Sequence, residues 1–290
     1  MTLFRLGASC AVLCLLAACT SPSLVERSTY YADTSLHARG ADSRIRFLVM
    51  HYTESDEAKS LRTLTGDSVS VHYVVPPQPR IEHGMPVVYQ LVPESKRAWH
   101  AGVSEWQGTT ELNAASIGIE NVNRGPLDPQ NRTWQPYPPE QVDALIRLSK
   151  DIVARYAIPP TRVVGHSDIA PQRKIDPGPL FPWHALALAG VGAWPDDATV
   201  AARLGGRDPH ALVDVHELQL KLARYGYEVP TDGVLDARTR RVFAAFQMHF
   251  RPSDYAGNPD AESDAIAQAL LDKYFPGTQP ADNAPAADAP

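Results

Sequence analysis

Short apolar runs alternate with polar stretches through the first two thirds of the chain. Ile45-Arg46-Phe47-Leu48-Val49-Met50 is mostly apolar and of strand length, which suits a buried strand. Ser68–Val75 and Val87–Val92 are rich in β-branched residues and read as two more strands, divided by the turn-forming Pro76-Pro77-Gln78-Pro79-Arg80. Ser116–Val122 alternates apolar with small or polar residues, the pattern of a half-buried strand. Pro138-Pro139-Glu140 opens a helix in which Val142, Leu145, Ile146, Ile152, Val153 and Tyr156 form one apolar stripe. Arg162–Gly165 is a last short strand. Strands, a strong helix and a further strand predict an α/β domain over residues 40–192, a mixed central β-sheet flanked by helices.

The pattern then changes. Residues 193–207, with Trp194-Pro195-Asp196-Asp197 and Gly205-Gly206, read as a linker. Beyond it Leu212, Val215, Leu218 and Leu222 recur at helical spacing, and Tyr225-Gly226-Tyr227 ends that helix. A turn at Asp232-Gly233 leads to Thr239–Phe250, with Val242, Phe246 and Phe250 on one face, and a third helix follows near Ala261–Tyr274. Residues 208–275 are thus expected to form a small, independent three-helix domain. The tail, 276–290, carries almost no large apolar side chain and is expected to be disordered.

The N-terminus reads as a targeting segment. Arg5 precedes an apolar run from Leu6 to Ala18, too short to span a membrane but of signal-peptide size. Leu16-Ala17-Ala18-Cys19 resembles the bacterial lipobox, which implies a signal peptide over 1–18, a lipidated Cys19 and a tether over 19–39. Cys10 and Cys14 fall in the removed segment, so a disulfide framework is excluded. Thr20, rather than Asp, follows Cys19; by the same resemblance this implies the outer membrane, with the protein facing the periplasm. A formal net charge of −6 and no long Lys/Arg block argue against nucleic acid as a partner.

Candidate chemistry begins with His51 at a strand end, His166 after the last strand, and Asp176. Two imidazoles and a carboxylate can fill three positions of a tetrahedral Zn²⁺ site and leave the fourth for water. Taken singly, each histidine reads first as a structural or surface residue; taken together, the metal and structural readings both stay open on spacing alone. The chain contains no H-E-x-x-H, no G-x-S-x-G and no P-loop.

Five ordered motifs go further: Met50-His51-Tyr52-Thr53, Trp99-His100-Ala101-Gly102, Ile117-Gly118-Ile119-Glu120-Asn121, Gly165-His166-Ser167-Asp168-Ile169-Ala170-Pro171 and Arg173-Lys174-Ile175-Asp176-Pro177-Gly178. Together they resemble the zinc-dependent N-acetylmuramoyl-L-alanine amidases, whose fold is shared with peptidoglycan recognition proteins. The likeness extends to outer-membrane lipoprotein amidases with a C-terminal wall-binding module. It implies hydrolysis of the amide between the lactyl group of N-acetylmuramic acid and L-alanine of the stem peptide, in cell-wall turnover or recycling. Peptidoglycan and muropeptides are the implied partners. His51, His166 and Asp176 match the ligands of one Zn²⁺. Glu120 matches the catalytic glutamate, and Lys174 a basic residue that stabilises the oxyanion. His72, Tyr73, Trp99, His100 and Arg173 are expected near the substrate. His37, His83, His184, His210, His216 and His249 fall outside every motif and read as surface or packing residues.

The C-terminal helices resemble a peptidoglycan-binding domain through Leu218-Gln219-Leu220-Lys221-Leu222, Tyr225-Gly226-Tyr227, Asp232-Gly233, Thr239 and Phe246-Gln247. Two competing readings are a muropeptide-binding protein without catalysis and a metallopeptidase cutting within the stem peptide. Presence of all three ligand positions, Glu120 and Lys174 favours the amidase.

Overall fold

The computed structural model describes residues 23–41, 43–128, 130 and 133–277. The expected signal peptide, Cys19 and residues 278–290 of the expected tail lie outside them. The chain divides between residues 42 and 43 into two compact units. In the first, the expected tether contains an antiparallel hairpin: Leu24–Glu26 pairs with Tyr31–Asp33, and Arg27 N–H donates to Tyr30 O at 2.8 Å in the turn.

The second unit is built on five strands, β1 (Phe47–Tyr52), β2 (Tyr73–Val75), β3 (Tyr89–Gln90), β4 (Ser116–Asn121) and β5 (Val163–Gly165). Their order across the sheet is β5-β1-β4-β2-β3. All neighbours are parallel except the antiparallel edge strand β3. Two predicted strands are shorter than expected. The imidazole of His72 accepts the Gly118 N–H at 3.1 Å, taking a donor that a longer β2 would have paired through its backbone. Just before β3, Val87 N–H turns instead to Arg80 O at 2.8 Å.

Strand alternation gives the sheet two apolar faces. Leu48, Met50, Ile117, Ile119 and Val163 point to one face, which helix α2 (Pro139–Tyr156) covers with Ala144, Leu145 and Ile152. Pro139 occupies the first turn, where its missing N–H is no loss, and Ala157 ends the helix in left-handed geometry at φ 50°. The Gln141 side chain donates to Val75 O and Val122 O at 2.9 and 3.0 Å, pinning the helix to two strand ends. The short helix α1 (Glu57–Leu64) lies beside this sheet, with Leu64 packed against Val71, Val74 and Val122.

Phe47, Val49 and Val164 point to the opposite face. Their core is completed by Trp106, Leu112, Ile169 and Ala170, and then by side chains from the end of the chain. The predicted linker contains a helix, α5 (Asp197–Leu204), which follows α3 (His166–Ile169) and α4 (Trp183–Leu188). Arg203 pairs it with Asp272 at 2.6 Å. The three predicted C-terminal helices are α6 (Val215–Tyr225), α7 (Ala237–Phe250) and α8 (Ala261–Tyr274). Asp214, Asp236 and Asp260 cap them in turn, each carboxylate accepting the N–H three residues on. Leu218, Leu222, Val242 and Phe246 are buried, as their spacing predicts, but not in a core of their own. They share one hydrophobic cluster with Phe47, Val49, Trp106 and Val164. The expectation of an independent module is corrected accordingly: helical spacing identifies an apolar face and says nothing of what covers it.

Candidate metal centre

Parallel strands release their carboxyl ends along one edge, the usual position of a site on such a sheet. Here the register sets Glu120 of β4 directly beside His51 of β1, while Gly165 of β5 lies beside Met50. His51, Glu120 and His166 are therefore delivered by three adjacent strands to one edge of the sheet. Asp176 returns to them on the loop after α3, held by Ser167 N–H donating to Asp176 O at 2.8 Å. All four border a cavity of about 670 Å³.

The three expected donors converge. His51 Nδ1 lies 3.0 Å from His166 Nδ1 and 3.0 Å from Asp176 Oδ2, and His166 Nδ1 lies 3.1 Å from the same oxygen. Hydrogen bonds on the far side of each ring fix which nitrogen carries the proton. His166 Nε2 sits 3.1 Å from Ala101 O, which can only accept, and although Arg173 Nη2 is 3.3 Å away, both its hydrogens go to Ala101 O and Val103 O, so Nε2 is protonated and Nδ1 offers a lone pair. For His51 the argument runs through three groups. Ser116 Oγ donates to Leu112 O at 2.6 Å and so accepts from His100 Nε2 at 3.2 Å. His100 Nδ1 is then an acceptor, and His51 Nε2–H donates to it at 3.0 Å. His51 Nδ1 is left as a second lone pair aimed at the same point.

Electrostatics agree with this assignment. Burial, reinforced by neighbouring His166, lowers the His51 pKa to about 4, so the ring is neutral at physiological pH. Burial and the three surrounding imidazoles of His51, His72 and His166 push His100 well below its ordinary value too. Burial alone would raise the Asp176 carboxyl, but the His166 and His51 rings overcome it and hold the group far below the usual carboxylate range. Three lone pairs facing inward, on His51 Nδ1, His166 Nδ1 and Asp176 Oδ2, repel one another unless a cation lies between them. A tetrahedral ion with ligands at about 2.0–2.1 Å would separate its donor atoms by about 3.3 Å, close to the spacing found. The residues fit zinc.

Glu120 is different in kind. Burial, with the charge of Asp176 adding and Lys174 opposing, raises its pKa to about 8. Its Oε2 is buried without a hydrogen-bond partner. An acid held near neutrality beside a convergent donor set is arranged for proton transfer. Lys174 lies on the same cavity wall.

The other expected residues divide. Trp99 is half exposed on the cavity wall. His100 borders the cavity too, but its ring is committed to His51 and Ser116, and Gly118 makes the room: a Cβ there would meet the His100 ring at 2.6 Å. Arg173 reaches the cavity while its guanidinium donates to the carbonyls of Ala101 and Val103. His72 and Tyr73 are not on that wall. The His72 ring bridges Gly118 N and Lys96 O, and the Tyr73 hydroxyl donates to Glu94 at 2.7 Å, because their stretch of chain faces the sheet rather than its edge. Sequence reasoning overlooked Asn113, whose Oδ1 accepts from both His100 N and Ala101 N at 2.9 and 2.8 Å. It thereby fixes the segment that backs both donor histidines. Ser116 was missed as well, and no local pattern marks either residue.

A second group among the described residues, His210, Asp254 and Asp260, also has donor atoms close together. There Arg251 already pairs with Asp260 at 2.8 Å, so a cation is supplied by the chain itself.

Comparison with known proteins agrees with the geometry. The profile of the N-acetylmuramoyl-L-alanine amidase family matches residues 41–179, and that of a peptidoglycan binding domain matches 213–262. The N-acetylmuramoyl-L-alanine amidase AmiD of Escherichia coli is 53% identical over 266 residues, which is 91% of this chain and 96% of the relative. A solved complex of E. coli AmiD with its substrate anhydro-N-acetylmuramic acid-L-Ala-D-γ-Glu-L-Lys superposes with a TM-score of 0.83, covering 87% of this chain and 98% of that one. AmpDH3 from Pseudomonas aeruginosa, solved with anhydromuramic pentapeptide, is 41% identical with a TM-score of 0.75, covering 86% of this chain and 98% of that one.

Proposed function

The chain belongs to the N-acetylmuramoyl-L-alanine amidase family, and on that premise we propose that a zinc ion held by His51, His166 and Asp176 is its catalytic centre. The enzyme hydrolyses the amide between N-acetylmuramic acid and L-alanine; muropeptides, free or within the wall, are the proposed substrates. The observation that carries the metal assignment is the convergence of His51 Nδ1, His166 Nδ1 and Asp176 Oδ2 at 3.0–3.1 Å. A zinc ion there supplies Lewis acidity, polarising the amide carbonyl and making water acidic.

The chain's own residues supply the proton handling. Glu120 keeps its proton at neutral pH until a positive charge arrives beside it, and then serves as the base. It takes a proton from the attacking water as the new C–O bond forms, and returns it to the amine nitrogen as the C–N bond breaks. Lys174 faces the negative charge that develops on the carbonyl oxygen. Trp99, half exposed on the wall, offers an apolar face to the substrate.

Residues 40–192 carry this chemistry and 208–275 contribute wall binding. Cys19 is the lipid anchor of a protein facing the periplasm from the outer membrane, acting in wall turnover or recycling. Among the described residues no helix is long and apolar enough to cross a membrane.

Mass spectrometry of anhydro- and ordinary muropeptides after incubation tests the proposal. Free stem peptide beginning at L-alanine is expected, lost on chelation and restored by Zn²⁺. Glu120→Gln is expected to keep zinc and lose about 10²–10⁴-fold in kcat. A fully active chelated enzyme would remove the metal from the mechanism, and a fully active Glu120→Gln would remove the base.

A further inference from the structure

Two of the three donors, together with Arg173 and Lys174, lie on one stretch of chain, residues 165–178. That stretch does not rest on the sheet alone. Asp168, buried in its middle, accepts three hydrogen bonds. Gly165 N–H and His249 Nδ1 both reach Oδ2 at 2.7 Å, and the Tyr227 hydroxyl reaches Oδ1 at 2.7 Å. The first donor precedes the ligand His166 by one residue. The other two belong to the C-terminal helices: Tyr227 follows α6 and His249 is near the end of α7.

Neighbouring contacts tighten the same connection. The His249 ring stacks on Trp183 at 3.8 Å and 13°. Gln172 donates to Arg238 O of α7 at 3.1 Å, and Ile169 and Ala170 join the cluster of Phe243 and Phe246. On the other side the stretch is closed on itself. A Cβ on Gly165 would meet Pro177 Cδ at 2.8 Å, and Ser167 N–H binds Asp176 O at 2.8 Å. Displacing Asp168 therefore displaces Gly165, and with it the packing that holds His166 and Asp176 together.

A buried carboxylate is a poor adhesive between two cores, since apolar side chains of similar volume would hold them at least as well. What it supplies is orientation. From this network we infer that the C-terminal helices are a positioning element of the metal centre: Tyr227 and His249, acting through Asp168, set the loop that carries His166 and Asp176. The module then has a second role besides wall binding. The inference rests on the zinc assignment proposed above.

The test uses the full chain. Tyr227→Phe removes one hydroxyl, and His249→Phe removes one donor while keeping a ring on Trp183. Zinc affinity is read by competition with a chromophoric chelator, and site geometry by the visible spectrum of the cobalt-substituted protein. The double variant is expected to bind zinc about tenfold more weakly, with an altered cobalt spectrum and a lower kcat at unchanged KM for a soluble muropeptide. Tyr227→Phe alone, which alters no ring packing, is expected to shift zinc affinity in the same direction by less. Ile266→Val, a core substitution in α8, is expected to lower Tm and leave zinc affinity and spectrum as in the wild type. If Tyr227→Phe and the double variant both match the wild type in affinity and spectrum, the inference is overturned alone. A wild-type chain that binds no zinc overturns the metal assignment and the inference with it.

Discussion

The two faces of the central sheet are closed by different kinds of chain. Leu48, Met50, Ile117 and Ile119 are covered by α2, a helix that lies between β4 and β5 in sequence and needs no distant partner. Phe47, Val49 and Val164 are covered by Trp106, Leu112 and Ile169, and beyond these by Leu218, Phe243 and Phe246 from the end of the chain. The proposed metal ligand of β1, His51, shares the face of Phe47 and Val49. The site thus stands on the side of the sheet whose packing is least local.

The same contrast recurs between the two histidines of the donor set. His51 is backed from inside the α/β region, through His100, Ser116 and the Leu112 carbonyl. The His166 segment leans instead on Tyr227 and His249 through Asp168. One proposed ligand is backed by neighbours in the sheet; the segment of the other is hydrogen-bonded to helices some 60 to 80 residues further along. Assigning the two regions separate tasks of catalysis and binding would miss that they share a core.

The largest effect should come from removing residues 208–290. Trp106 is 1% exposed in the whole protein and Ile169 also 1%; without the C-terminal helices both would face water, each losing about 1.5–3 kcal/mol of burial, with their neighbours adding more. The truncated chain is expected to lose its cooperative thermal transition, as read by calorimetry. A truncated chain that melts within a few degrees of the full one would show the two regions to be independent.

A smaller and more selective effect is expected on the first face. Ser116→Ala leaves the His100 Nε2–H without its acceptor and frees the proton order that aims His51 Nδ1 at the metal. Zinc affinity should fall about tenfold, the low end for groups behind a ligand, while Tm changes little. Chelator competition reads the first and a thermal melt the second. Unchanged affinity would mean that His51 is oriented by packing alone.

Much of the first face was legible in the sequence because its signals are local. The apolar run at 45–50, the stripe on α2 and the prolines at its start each identify their own element. The donor cluster was legible for another reason: His51, His166 and Asp176, which the fold brings together, sit in motifs whose order resembles a known family. The second face was not legible. Nothing in the spacing of Leu218, Leu222 and Phe246 says whether they cover one another or the sheet. His249 lies outside every motif, and its partner Asp168 lies inside one without any sign of the bond between them. Ser116 and Asn113 act through single hydrogen bonds to a distant turn, which leave no periodic trace. The imidazole-capped end of β2 and the Val87 N–H bound to Arg80 O likewise show side-chain and loop bonds overriding strand propensity.

The most direct test of the central claim is anomalous diffraction at the zinc edge from crystals of the zinc-loaded enzyme. A single strong peak is expected within bonding distance of His51 Nδ1, His166 Nδ1 and Asp176 Oδ2. A peak at His210, Asp254 and Asp260 with none at the first position would contradict it.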